Sequence, residues 1–298
     1  MNTSRSIVTA VVTATTLALG ACASSSGQRA PGARATQPVN FQLIRNATLK
    51  LEYAGTTFLV DPMLGDKDAY PGFANTVRSE LRMPLTALPM PVEEVLDVDA
   101  IVLTHLHADH WDEAARRLVP RNIPMFVQDD EDAARVRADG FTDVRVLGSA
   151  GLEFNGTRLH PTGGQHGTDQ MYALEPLRKR LGRTTGVVFE RPGHATIYVA
   201  GDTTWSPPVE AALERHRPDV VILNAGYAQI AGFEGSIIMG RDDVLRASQV
   251  LPDAKIVAVH MEAVNHATLS RKDLRAFADE TKSGERVLIP ADGERYTF

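Results

Sequence analysis

Four side chains able to bind a metal ion fall within six consecutive positions of this sequence: His105, His107, Asp109 and His110. Imidazole and carboxylate together suit zinc, manganese or iron. The lack of thiol ligands argues against an iron–sulfur cluster or a cysteine-type structural zinc site. His105 and His107 are two residues apart, so an extended or tightly turned backbone can aim both at one ion. Asp109 and His110 follow on a turn and point elsewhere, towards a second ion or a bridging water. The chemistry open to such a set is hydrolysis by a metal-activated water, which needs no serine or cysteine nucleophile.

Local pattern says what must hold these residues in place. Ile101-Val102-Leu103 reads as a buried strand, and residues 112–119 read as a helix with acidic residues in its first turn and basic ones later, as the helix dipole prefers. In α/β proteins ligand sites gather at such strand-to-helix junctions. The arrangement recurs along the chain. The apolar run Lys255–Val259 delivers His260, and the hairpin of 185–191 and 195–200 runs into Gly201-Asp202. A carboxylate at a strand end, after a glycine permitting close backbone approach, suits a ligand shared between two ions. The hairpin around Asn155-Gly156 leads through His160 to Pro161-Thr-Gly-Gly-Gln-His166-Gly167, which supplies two more candidate histidines.

The remaining pattern is of alternating elements. Short strands are expected at 41–45, 48–53, 55–60, 124–127, 143–147, 218–224 and 286–289, and helices at 130–139, 208–216, 241–250 and 270–281. Residues 63–91 are rich in proline and lack periodicity, and they read as a lid or pocket wall. Residues 168–183 carry Arg178-Lys179-Arg180 and read as an excursion over the site. His194, on a Pro-Gly turn, and His216, on a helix, read as solvated.

The string His105-x-His107-x-Asp109-His110 after an apolar strand resembles the signature of the metallo-β-lactamase-fold hydrolases, and most closely their ascorbate-6-phosphate-lactonase-like branch. Asn46-Ala-Thr, Asp61-Pro-Met and Gly201-Asp202-Thr resemble further motifs of that branch, with Asn46 standing where a histidine is common. The resemblance covers roughly residues 41–290 and implies a four-layer αββα sandwich. It implies His105, His107 and His166 on one ion, Asp109, His110 and His260 on a second, and Asp202 between them. Asp109 is then the candidate catalytic residue, orienting the water and shuttling its proton. His160 fits the pattern less well than His166. Asp61 is expected to orient a ligand histidine, and Tyr227 or His266 to steady an oxyanion or simply to pack. The implied cofactor is a pair of divalent ions, zinc first, with manganese or iron as alternatives.

Composition agrees with an ordinary globular protein: of 298 residues, 43% are hydrophobic and 23% charged, with a net charge of −6. The acidic balance, with no longer basic run than Arg178–Arg180, gives no nucleic-acid surface. The one cysteine, Cys22, allows no intramolecular disulfide. It follows an apolar segment too short to span a membrane, Ile7 to Leu19, and Leu19-Gly20-Ala21-Cys22 resembles the lipobox of bacterial lipoproteins. The expected organisation is a signal peptide at 1–21, a lipidated N-terminus and flexible tether at 22–38, and a metallo-hydrolase domain at 39–298. That places an exported protein at a bacterial cell envelope, anchored to the membrane through Cys22. The expected substrate is a small molecule with an ester-like bond, a lactone or a phosphodiester. The alternatives are an iron-containing, oxygen-using relative and a non-catalytic metal- or ligand-binding lipoprotein.

Overall fold

Two seven-stranded mixed sheets face each other in a computed structural model that describes residues 37–298. The first sheet takes β1 (Asn40–Arg45), β2 (Thr48–Tyr53), β3 (Thr56–Val60), β4 (Ala100–Val102), β5 (Met125–Val127) and β6 (Val144–Val146) in sequence order. The second holds β7 (Leu152–Phe154), β8 (Thr157–Pro161), β9 (Val187–Glu190), β10 (Ile197–Val199), β11 (Val220–Asn224), β12 (Lys255–Val259) and β13 (Val287–Leu288), again as sequential neighbours. A last strand, β14 (Arg295–Thr297), returns to pair with β1.

Helices cover both outer faces. Against the first sheet lie α1 (Val92–Val95), α2 (Glu113–Leu118) and α3 (Asp130–Ala138). Two short helices, α4 (Asp169–Ala173) and α5 (Glu175–Leu181), form the excursion, and α6 (Pro207–His216), α7 (Arg241–Val250) and α8 (Arg271–Glu280) cover the second sheet. This is the αββα sandwich expected from the sequence.

The strands read as unbroken apolar runs because both faces are covered. In β4, Ala100 and Val102 point into the layer between the sheets, where they meet Phe58, Phe126, Val187, Phe189 and Val199. Ile101 and Leu103, one position on, point outward to Ala114, Ala115 and Val136 of the helices. The second sheet alternates likewise: Val199 and Ile222 face inward, while Tyr198 and Val221 meet Val209 and Leu213 of α6.

Parallel pairing of β3 with β4, and of β10, β11 and β12 with one another, puts their C-terminal ends at one rim. The sequence missed α1, α4, α5 and β14, all of four residues or fewer in a strand or seven or fewer in a helix. Its helix at 112–119 begins one residue later, because Asp112 is the N-cap and accepts from the Ala115 N–H at 2.7 Å.

Residues 63–91 are an ordered wall. The Arg45 guanidinium, fully buried, donates to the carbonyls of Met63, Gly65 and Thr86 and so ties both ends of the loop to β1. Its middle is held by Asn265, whose side chain accepts from Phe73 N–H and donates to Thr76 and Val77.

The expected signal peptide at 1–21, Cys22 and most of the expected tether lie outside the described residues. Gln37, placed by the sequence in the tether, already contacts the fold through its N–H to the Gly193 carbonyl at 3.2 Å. Among the described residues no helix is long and apolar enough to cross a membrane.

Candidate metal centre

Every candidate residue of the rim follows a strand end. Asp61 follows β3; His105, His107, Asp109 and His110 follow β4; His166 follows β8; Asp202 follows β10; and His260 follows β12. The turn after β10 needs Gly201: its φ is +69°, and a Cβ there would lie 2.6 Å from the Thr185 carbonyl oxygen. That tight crossing presents Asp202 to the rim. His260 and Asp61 themselves take left-handed backbone, with φ of 62° and 47°.

The structure brings these side chains into two adjoining groups. Donor atoms of His105, His107 and His166 lie within 4.8 Å of one another, as do those of Asp109, His110, Asp202 and His260. Asp202 faces both groups. Its Oδ2 is 3.2 Å from His110 Nε2, 3.6 Å from His166 Nε2 and 3.9 Å from His105 Nε2, and its Oδ1 is 3.7 Å from His260 Nε2. Asp109 Oδ2 stands 3.2 Å from His260 Nε2.

Ring nitrogens confront one another in a way that suits a shared cation. His110 Nε2 and His260 Nε2 are 3.2 Å apart, and His105 Nε2 and His107 Nδ1 are 3.0 Å apart. A proton between two such nitrogens satisfies the pair singly, whereas an ion accepts lone pairs from both, with carboxylates completing its shell. The residues present fit divalent metal ions.

A surrounding layer fixes the rings. His110 Nδ1–H donates to Asp61 Oδ2 at 2.8 Å, and Asp61 also accepts from Thr104 N–H at 2.7 Å and from the Thr104 hydroxyl at 2.6 Å. His166 Nδ1–H donates to the Ile237 carbonyl at 2.8 Å, and His107 Nε2–H donates to that of Arg180 at 3.1 Å. Each bond commits one nitrogen outward and leaves the other for the site. Asn46, at the position where a histidine is common, donates to the Asp109 carbonyl at 3.0 Å and so supports the loop of that residue.

Two contacts were not read from sequence. Asn224 Nδ2 donates to Asp202 Oδ1 at 2.6 Å, and Tyr172 accepts from His166 N–H while donating to the Gly182 carbonyl. Asn224 was legible as another residue at a strand end; Tyr172 sits in the excursion and carried no signal. Of the other candidates, His266 is 6% exposed and packs edge-on against Phe73 at 5.0 Å beside the site. Tyr227 is 39% exposed. His160 lies elsewhere, against Glu190, and His194 packs at a tilt against Tyr53.

Burial and charge divide the histidines. Desolvation, reinforced by neighbouring imidazoles, holds His105 well below the ordinary range, and it takes His107 and His266 each down to about 4. Burial lowers His166 too. In His110 and His260 burial acts the same way, but Asp202 and Asp109 outweigh it and both are raised. The carboxyls of Asp202 and Asp109 feel an upward push from burial, which the facing histidines overcome, so both stay ionised.

The metal-free protein should therefore lose stability on acidification. Between pH 6.5 and 4 the unfolded chain binds protons at His105, His107, His166 and His266 that the folded chain refuses, so stability falls as pH falls. The raised pair, His110 and His260, opposes this near pH 6.5, where the unfolded chain is still taking up their protons, and adds no slope once the pH is well below that. His266 alone, lowered from 6.5 to about 4, contributes on the order of 3 kcal/mol. Urea midpoints of the chelated protein at pH 7 and pH 4.5 check this, and equal midpoints would refute it.

Comparison with known proteins agrees with this geometry. A family model described as a beta-lactamase superfamily domain matches residues 56–261. The chain is 43% identical to the UPF0173 protein YddR of Bacillus subtilis (strain 168) over 87% of its own length and 100% of that protein's. It is 30% identical to a UPF0173 metal-dependent hydrolase of Staphylococcus haemolyticus (strain JCSC1435), over 69% of this chain and 85% of that one. Among solved structures, an isothiocyanate hydrolase from Delia radicum gut bacteria superposes with a TM-score of 0.84 at 47% identity, covering 88% of this chain and 99% of that one. With the sandwich, the rim and its histidines and aspartates already in place, the chain belongs to the metallo-β-lactamase superfamily, as a metal-dependent hydrolase of the UPF0173 family.

Proposed function

We propose that this hydrolase uses two divalent ions and acts on a small, neutral, electrophilic substrate, with isothiocyanates as the leading class. The observation that carries the reading is the likeness to the isothiocyanate hydrolase, 47% identical over 88% of the chain. The enclosure of the site supports it. His105, Asp109, His110, His166, Asp202 and His260 are all buried, and only His107 is partly open. The surrounding cover is largely apolar, built from Met171, Leu181, Ile230 and Ile237 on one side and Met63, Met83 and Phe73 on the other. The guanidinium groups of Arg78 and Arg180 are tied to the carbonyls of Asn265, Ala267 and Ala74.

The ligands proposed are those implied by the resemblance: His105, His107 and His166 for one ion, Asp109, His110 and His260 for the other, with Asp202 shared. When bound, the ions would lower the pKa of a water towards neutrality and would polarise the electrophile. Asp109, ionised and anchored through its backbone by Asn46, orients the water and accepts its proton. For an isothiocyanate, R–N=C=S, the water oxygen bonds to the central carbon and the proton passes to nitrogen. The resulting thiocarbamic acid, R–NH–C(=O)–SH, passes its remaining acidic proton to nitrogen as the C–N bond breaks, so that R–NCS and water give R–NH2 and carbonyl sulfide. His266 and Phe73 form the wall against which R would rest.

A panel tests the reaction class. Zinc- and manganese-loaded protein is offered aryl and alkyl isothiocyanates, lactones, including a sugar lactone for the narrower branch seen in the sequence, phosphodiesters and β-lactams. Amine release from isothiocyanates is expected to lead. Turnover confined to lactones or phosphodiesters would overturn the substrate class, and oxygen consumption with iron would favour the oxygen-using alternative. We further propose export and lipid attachment at Cys22, on the strength of Leu19-Gly20-Ala21-Cys22. The Cys22→Ser variant should move from the membrane to the soluble fraction, and unchanged fractionation would refute the anchor.

A further inference from the structure

A second group of metal-competent side chains lies on the outer face of the second sheet, away from the rim. His160 of β8, Glu190 at the end of β9 and His216 at the end of α6 bring their donor atoms within 4.8 Å of one another. Both imidazoles aim at the same carboxylate oxygen: His160 Nε2 is 3.2 Å and His216 Nδ1 3.9 Å from Glu190 Oε2. The two rings are 5.0 Å apart between centroids and inclined at 44°. Donors held by one zinc-like ion at about 2.0–2.2 Å stand roughly 3–4 Å from one another. Small rotamer adjustments therefore close this triad on an ion.

The fold explains the convergence. Leu159 and Phe189 point into the layer between the sheets, so His160 and Glu190, one residue further along, face outward beneath α6. Because β9 runs antiparallel to β10, Glu190 lies near the start of β10, whereas Asp202 follows its end. The ten-residue α6 runs between the two places, a length of about 15 Å. The facing imidazoles, His160 first and then His216, hold the Glu190 carboxyl well below the usual range, so it is an anionic ligand.

We propose that His160, Glu190 and His216 form an additional divalent-cation site, separate from the rim centre. Two imidazoles and one carboxylate select a borderline ion such as Zn2+ or Ni2+ over Mg2+ or Ca2+, with water completing the shell of this partly exposed site. Occupancy ties the C-terminal end of α6 to β8 and β9. Its role is bracing of the fold at the end of α6 remote from the Asp202–Trp205 loop. The site shares no residue with the proposed catalytic centre, so the two proposals fail independently.

The test counts ions. Wild-type protein already loaded at the rim is dialysed against Zn2+ or Ni2+, freed of excess ion, and its metal content measured. The Glu190→Gln and His216→Ala variants are treated alike. Wild type is expected to retain one equivalent more than either variant, with equal hydrolytic turnover in all three. It should also show a rise in melting temperature on adding Ni2+ that Glu190→Gln lacks. Glu190 is half exposed, so the glutamine variant keeps the fold. Equal metal content and equal thermal response in wild type and Glu190→Gln would overturn the proposal and leave a hydrogen-bonded cluster.

Discussion

Asp202→Ala should lose bound metal and hydrolytic turnover together, with turnover falling on the order of 10³-fold or more. The carboxylate lies within 3.9 Å of nitrogens from His105, His110, His166 and His260, which belong to both groups of donors. A Lewis acid contributes several kcal/mol of transition-state stabilisation, and about 4 kcal/mol already corresponds to about 10³-fold in rate. Alanine also removes the acceptor of the Asn224 amide, at 2.6 Å, and leaves that donor buried without its partner. Metal content and turnover, measured on variant protein whose circular dichroism matches wild type, decide the matter. A variant that keeps two ions and near-normal turnover would refute Asp202 as the shared ligand, and an active, metal-free variant would refute the dinuclear reading.

Asp61→Asn should reduce metal affinity or turnover by about 10–100-fold without touching a proposed ligand. In the native protein Asp61 Oδ2 accepts from His110 Nδ1–H, which leaves Nε2 free of a proton when an ion is bound. An asparagine amide can keep the bond from the Thr104 N–H and tolerates the left-handed backbone at φ 47°. Its NH2 group, though, would then face His110 Nδ1 as a donor. The imidazole would shift to the other tautomer and place its proton on Nε2, the nitrogen proposed to face the ion. Asp61→Asn therefore isolates tautomer control from bulk. Wild-type affinity and turnover in this variant would reduce Asp61 to a residue that shapes the turn.

The rim was legible because its residues follow long apolar strands that period and composition reveal. His260 after Lys255–Val259 and Asp202 after β10 announce themselves as polar residues at the end of buried runs. The placing of Asp61 beside His110 was readable only through the resemblance, since 49 residues separate them in sequence. Other features left no local trace. Arg45 looks like an exposed strand end, yet three carbonyls of the 63–91 loop gather on its guanidinium. The helices α4 and α5 are too short for a periodic face, and their definition comes from the Thr168 cap and from Tyr172 reaching Gly182. His216 read as solvated on its helix. It meets Glu190 only because β9 turns its outward face to α6, a relation that sheet order alone determines.

The ownership of the rim has one last consequence. His105, His107, Asp109 and His110 extend from the first sheet, and His166, Asp202 and His260 from the second. An ion held by His105, His107 and His166 would thus stitch the sandwich along its open seam, and so would one held by Asp109, His110 and His260. Free metal at about 100 times the dissociation constant would add roughly 2.7 kcal/mol of stability per ion. A chelator would then do more than silence the enzyme: it would unpick the seam, and amides near the rim would exchange with solvent well before those in the middle of the sheets.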